Sequence, residues 1–138
     1  MAAEALRLTS IDAAQNEGAE DVEKVAFNGP LSPSLHLLIG YGFELNLKVV
    51  FLLLGGEEAE LGTKRIGHDL IAALDAAEEL GYVSIVPDIR WTLEKLRASH
   101  LSHHWRYGGN PTITIPSLEM TIPRLQQLTR EVKHLGKL

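Results

Sequence analysis

Cysteine is absent from all 138 residues. The chain therefore cannot form a disulfide, a thiolate–zinc centre, an iron–sulfur cluster or a cysteine nucleophile. The first residues, Met-Ala-Ala-Glu-Ala-Leu-Arg, lack the basic start and apolar run of a secretory signal, so a cytoplasmic protein is expected. No internal repeat is present, and no linker is long enough to divide the chain. No pair of strand-like segments lies close enough in sequence to suggest a hairpin. Apolar residues make up 45% and charged residues 22%, which excludes a disordered tail, a collagen-like chain and a disulfide scaffold. What is left is one soluble domain over residues 1–138, long enough to bury roughly two thirds of its surface without covalent staples.

The longest apolar stretch, Leu35 to Leu54, approaches membrane-spanning length. Glu44, Asn46 and Lys48 interrupt it. A charge at a bilayer centre costs about 2.5–3.5 kcal/mol on insertion scales, so the stretch reads as a buried helix and no membrane association is expected.

Charge is unevenly spread. Residues 1–80 hold 14 acidic and 5 basic side chains, whereas residues 81–138 hold 4 acidic and 8 basic ones. The second half can thus offer a basic face to an anion, although a solvated surface produces such asymmetry as readily.

Breaks and periodicity give four or five helices. Residues 1–29 form an N-terminal helix or arm, with helical pattern around Ile11 to Phe27. Asn28-Gly29-Pro30 and Ser32-Pro33-Ser34 separate it from the apolar helix, which Ser34 is placed to cap. There Leu35, Leu38, Ile39, Gly42, Leu45, Val49, Leu52 and Leu53 recur at helical spacing, and other apolar residues fill most of the opposite side. Such a helix belongs at the centre of a bundle. Gly40 and Gly42 allow a neighbour to come close, and Gly55-Gly56 ends the helix. Asp69 opens an alanine-rich helix that Gly81 stops. Tyr82 to Val86 reads as an extended link. Pro87 and Asp88 start a helix on which Ile89, Leu93, Leu96, His100 and His103 recur, and Gly108-Gly109-Asn110-Pro111 breaks it. Thr112 to Ile115 reads as a loop. Ser117-Leu118-Glu119 opens a last helix to about Leu135, with Leu118, Ile122, Leu125, Leu128, Val132 and Leu135 on one stripe. The expected fold is all-α, an antiparallel four- or five-helix bundle.

Three constellations could carry chemistry. Glu44 precedes Lys48 by four residues, the favourable order for an ion pair on a helix; a self-paired structural charge is the plainer role. Gly67-His68-Asp69-Leu70 puts a histidine beside a capping aspartate, and here too a helix start is the plainer role. The richest is Arg97-Ala-Ser-His100-Leu-Ser-His103-His104-Trp105-Arg106-Tyr107, which holds three of the six histidines. His100 and His104 would stand one above the other on a helix, a spacing that can ligate a metal. No carboxylate at fixed spacing completes a ligand set, so no metal or other cofactor is expected, and a metal site on His100 and His104 is the lesser alternative. Arginine with histidine also suits RNA cleavage. Histidine can take a proton from a ribose 2′-hydroxyl, and arginine can hold the phosphate. Arg97 and His104 lie nearly on one line of a helix, whereas Arg97 and His103 diverge by roughly 120°.

Taken together, three stretches resemble the HEPN domain family over about residues 30–135. These are Tyr41-Gly-Phe-Glu44-Leu-Asn-Leu-Lys48 followed by an apolar run, Gly67-His68-Asp69-Leu70 at a helix start, and Arg106-Tyr107 ahead of a Gly/Pro break. The resemblance implies a HEPN-like helical bundle that pairs into a homodimer. It further implies a metal-independent ribonuclease of toxin or antiviral type, with RNA as substrate and an antitoxin or a nucleotidyltransferase-like protein as partner. The family's active motif is an arginine, four to six residues, then a histidine. That makes Arg97, His103 and His104 the catalytic candidates, with Glu44, Lys48, His68, Asp69, His100, Arg106 and Tyr107 in supporting or binding roles. Ala98 stands where the family usually has a polar residue, and Gly108 where it usually has proline. A catalytically inactive HEPN-like module that binds RNA, a nucleotide or a partner protein therefore stands as the alternative, and a metal-binding bundle as a second.

Overall fold

A computed structural model describes residues 32–101 and 117–137. Within these residues the chain folds into four α-helices with no strands: α1 (Ser32–Leu53), α2 (Leu70–Glu79), α3 (Ile89–Leu101) and α4 (Leu118–Leu135). A single 3-10 turn, Glu58–Glu60, lies in the link from α1 to α2. The all-helical bundle expected from the periodicity is present. Residues 1–31 and 102–116, and with them the N-terminal arm, His103, His104, Arg106, Tyr107 and the Thr112–Ile115 segment, lie outside the described residues.

Helix α1 is the centre, packing against all three others. Its core stripe is Leu35, Ile39, Phe43, Leu47 and Val50, each fully buried. This corrects the expected stripe. Leu45, Val49, Leu52 and Leu53 are 62%, 42%, 40% and 47% exposed and form an outward apolar face. The cause is that α1 is apolar on nearly every side while its three neighbours cover only part of its circumference. By length and composition Ser34–Leu53 could cross a membrane, but half of it is buried inside this bundle.

Helix ends follow local chemistry. Gly55 and Gly81 take φ values of +100° and +98°. Each lets the chain reverse through a pair of backbone bonds, Gly56 N–H to the Phe51 carbonyl and Gly55 N–H to Leu52 after α1, Tyr82 N–H to Ala77 and Gly81 N–H to Glu78 after α2. Two expected starts are displaced. Ser34 lies inside α1, because Pro33 fits the first turn, where its missing N–H is not needed. Asp88 has a φ of 50°, outside the helical region, so α3 begins at Ile89 and Pro87 stays outside it.

The neighbours sit close to α1 for identifiable reasons. On α2, Ala73, Ala76 and Ala77 are buried. A β-carbon at Gly42 would lie 2.8 Å from a Leu125 methyl, so glycine there sets the approach of α4. The Asn46 amide donates to the Gly42 carbonyl at 2.8 Å and to the Thr129 hydroxyl at 3.2 Å, fixing the same contact with polar bonds. Leu93 and Leu96 of α3 and Leu118, Leu125, Leu128 and Val132 of α4 close the core. Fully burying such a side chain contributes about 1.5–3 kcal/mol. The link 80–88 forms no strand, with Tyr82 and Val86 buried and Val83 and Ile85 exposed.

Candidate functional site

The site begins with a charge in the wrong solvent. Glu44 lies midway along α1, and only 3% of its surface reaches water. A lone carboxylate there would be costly, so its oxygens need donors. Oε1 accepts from Lys48 Nζ at 2.8 Å, one turn along the same helix. Oε1 also faces His68 Nδ1 at 2.9 Å, and Oε2 faces His100 Nε2 at 2.6 Å. Three segments, α1, the lead-in to α2 and α3, thus meet on one carboxylate. Burial alone would push the Glu44 carboxyl up. The hydrogen bonds from His100, Lys48 and His68 outweigh burial and bring it down to about 2. Glu44 is therefore ionised at neutral pH.

Ionisation settles the hydrogen positions. A carboxylate can only accept, so each imidazole nitrogen that faces it carries the hydrogen. His100 donates from Nε2, and its Nδ1 is buried with no hydrogen-bond partner. That nitrogen looks onto Gly40, where a β-carbon would come within 2.7 Å of it. The Tyr41 ring stands edge-on to the His100 ring, with centroids 5.0 Å apart and planes at 78°. His100 is thus enclosed on α1's side by a glycine, an aromatic edge and a carboxylate.

His68 differs from His100. Its side chain is 64% exposed while its Nδ1 is engaged by Glu44. The next residue, Asp69, caps α2. One of its oxygens, Oδ1, accepts from the backbone N–H of Ile71 at 3.0 Å and of Ala72 at 3.2 Å. The same carboxylate takes the Arg97 fork, Nε to Oδ1 at 2.8 Å and Nη2 to Oδ2 at 2.6 Å. Partial burial would raise the Asp69 carboxyl, but Arg97 and the capping N–H groups hold it below the usual carboxylate range. Arg97 itself is half exposed, with Nη1 left over from the fork.

The structure therefore gathers six of the residues singled out in sequence: Glu44, Lys48, His68, Asp69, Arg97 and His100. The expected Glu44–Lys48 pair and Asp69 cap are both present. The two contacts to Glu44 from His68 and His100 were not expected, because they span 24 and 56 residues. A usable signal did exist, since one lysine at the surface end of its reach cannot satisfy both oxygens of a buried carboxylate. His103, His104, Arg106 and Tyr107 lie outside the described residues. Among the described residues no group of three His, Asp or Glu side chains is arranged to hold a metal ion. His100 has its Nε2 committed to Glu44, which leaves only the enclosed Nδ1 for any ligand role.

A concavity of about 370 Å³ lies away from this cluster, at the far end of α1, lined by Leu54, Tyr82, Val83, Ile85, Glu131 and Leu135 among others. Its wall is mostly apolar. Its one carboxylate, Glu131, is already bonded to the Ser84 hydroxyl at 3.0 Å and the Ile85 N–H at 3.3 Å. The polar cluster around Glu44 is thus the richer in chemistry. Comparison with known proteins finds no family model, curated protein or solved structure that matches this chain.

Proposed function

We propose that this chain is a HEPN-like helical module of the cytoplasm that acts on RNA as a metal-independent ribonuclease, with Arg97 holding the phosphate. One observation carries the reading: a half-exposed arginine is fixed to Asp69, and the histidine that precedes Asp69 is exposed and bonded to a buried carboxylate that is ionised at neutral pH. A preset cation can hold a phosphodiester and offset the charge that builds on it during cleavage. A histidine oriented by a carboxylate can move a proton near neutral pH. The catalytic histidine expected from the family's spacing is His103 or His104. The outward apolar face of Leu45, Val49, Leu52 and Leu53 supports a homodimer, since large exposed aliphatic residues along one helix favour association.

A second reading has its own support. The Arg97 fork is already occupied by Asp69, and Ala98 follows it. This favours a catalytically inactive module that binds RNA or a partner protein. The two are separated by incubating the purified chain with a mixed RNA pool in excess EDTA, beside Arg97→Ala and His103→Ala/His104→Ala variants of equal melting temperature. Cleavage by the parent to cyclic-phosphate ends, lowered at least about 100-fold by Arg97→Ala, supports the ribonuclease. Intact RNA with the parent overturns it and leaves the binding module.

A further inference from the structure

His68 is the one histidine of the cluster that reaches solvent, and its tautomer is imposed. Glu44 accepts from Nδ1 at 2.9 Å and, being ionised, has no hydrogen to give back. The neutral ring therefore carries its hydrogen on Nδ1 and presents a bare Nε2. A bare imidazole nitrogen accepts a hydrogen bond; it does not donate one to a phosphate oxygen. The group it suits is a hydroxyl.

Arg97 supplies the complementary half. Its guanidinium is locked by two bonds to Asp69, the residue next to His68, and Nη1 stays available as a donor to an anion. The anion donor is thus bonded to the residue that directly follows the hydroxyl acceptor. In RNA the 2′-hydroxyl and the 3′-phosphate occupy neighbouring carbons of one ribose. In DNA the hydroxyl is missing. We propose that His68 reads the ribose 2′-hydroxyl while Arg97 holds the adjoining 3′-phosphate, which makes His68 the residue that selects ribonucleotides over deoxyribonucleotides. Glu44 is then a positioning residue, acting through the tautomer of His68. The proposal rests on the RNA reading for its choice of ligand, but it concerns binding and holds whether or not the RNA is cut.

The test uses two probes that cannot be cleaved, adenosine 3′-monophosphate and 2′-deoxyadenosine 3′-monophosphate. They differ only in the hydroxyl. Binding is followed by nuclear magnetic resonance of the histidine ring and arginine side-chain nitrogens. The parent should bind the ribonucleotide roughly two- to tenfold more tightly, the worth of one hydrogen bond at an exposed site. His68→Ala should abolish that preference, so that the two probes bind alike. Arg97→Ala should weaken both probes together. Before ligand is added, the His68 spectrum should show the hydrogen on Nδ1, and Glu44→Gln should reduce that tautomer.

Equal affinity for the two probes, a preference that survives His68→Ala, no binding of either probe, or a parent His68 with its hydrogen on Nε2 would each overturn the proposal. Intact RNA in the cleavage assay together with a His68-dependent ribose preference overturns the ribonuclease and upholds this site. Cleavage without that preference does the reverse.

Discussion

Two charged clusters tie segments of the bundle together, one around Arg90 and one around Glu44, and the two differ in solvent. On the outside, Arg90 donates to Asp75 at 2.8 Å and to Glu78 at 2.7 Å, with all three side chains about half exposed. Inside, Glu44 holds Lys48, His68 and His100, and its own side chain is 4% exposed. The bond lengths are alike. The consequences of losing them are not. Water replaces a lost partner at Arg90 but cannot reach His100, the most deeply buried of the donors that Glu44 serves. Similar geometry is therefore a surface accessory in one place and a structural obligation in the other.

The largest effect expected from breaking this contrast is at Glu44. Glu44→Ala leaves the His100 ring enclosed without its acceptor and should cost about 3–5 kcal/mol in urea unfolding. A loss below about 1 kcal/mol would show that the centre behaves like the surface cluster.

Acid should break it nearly as far, in two stages. Burial holds His36 at about 4, below its ordinary 6.5. Glu44 is held at about 2, below its ordinary 4.5. Both folded values are depressed, so the unfolded chain takes up protons first and stability falls with pH. The His36 contribution is complete above pH 6.5 and disappears toward pH 4. The Glu44 contribution is complete above pH 4.5 and disappears toward pH 2. Each amounts to about 3 kcal/mol. Thermal unfolding across this range should show both limbs, with His36→Leu flattening the upper one and Glu44→Gln the lower.

Gly40→Ala tests the centre through shape alone. The added carbon would meet His100 Nδ1 at 2.7 Å, so either the ring or α3 must shift. A loss of about 1–3 kcal/mol in urea unfolding is expected. The smallest effect belongs to the outside: Arg90→Ala should cost less than about 1 kcal/mol, and less still in high salt.

How much of this was legible in the sequence depends on distance along the chain. Helix ends at Gly55 and Gly81, the Asp69 cap and the Glu44–Lys48 pair are settled within a few residues, and the pattern of the chain shows them. The close approach at Gly40 and Gly42 was legible as a pair of small residues, though not which side chain each would admit. The outward face of α1 was misread, because an all-round apolar helix carries no mark of which side its neighbours leave open. At the site, His100 showed itself as a continuation of the Leu93–Leu96 stripe, and so as an inward-facing residue. That its inward partner is Glu44 could not be read, because 56 residues separate them. The same holds for Arg97 and Asp69, which are 28 apart and belong to different helices.

Gly40 carries a consequence for how this sequence can drift. Along α1, Leu45 projects out of the bundle, and its replacement costs the fold of the single chain little. Five residues earlier, Gly40 has no spare room, because the His100 ring occupies the space of its missing side chain. Exchange at position 40 thus requires a compensating exchange at position 100, and that in turn strands Glu44. In a library of variants selected for folding these three positions should change as a set or not at all, while exchanges on the outward face of the same helix leave the core of the bundle intact.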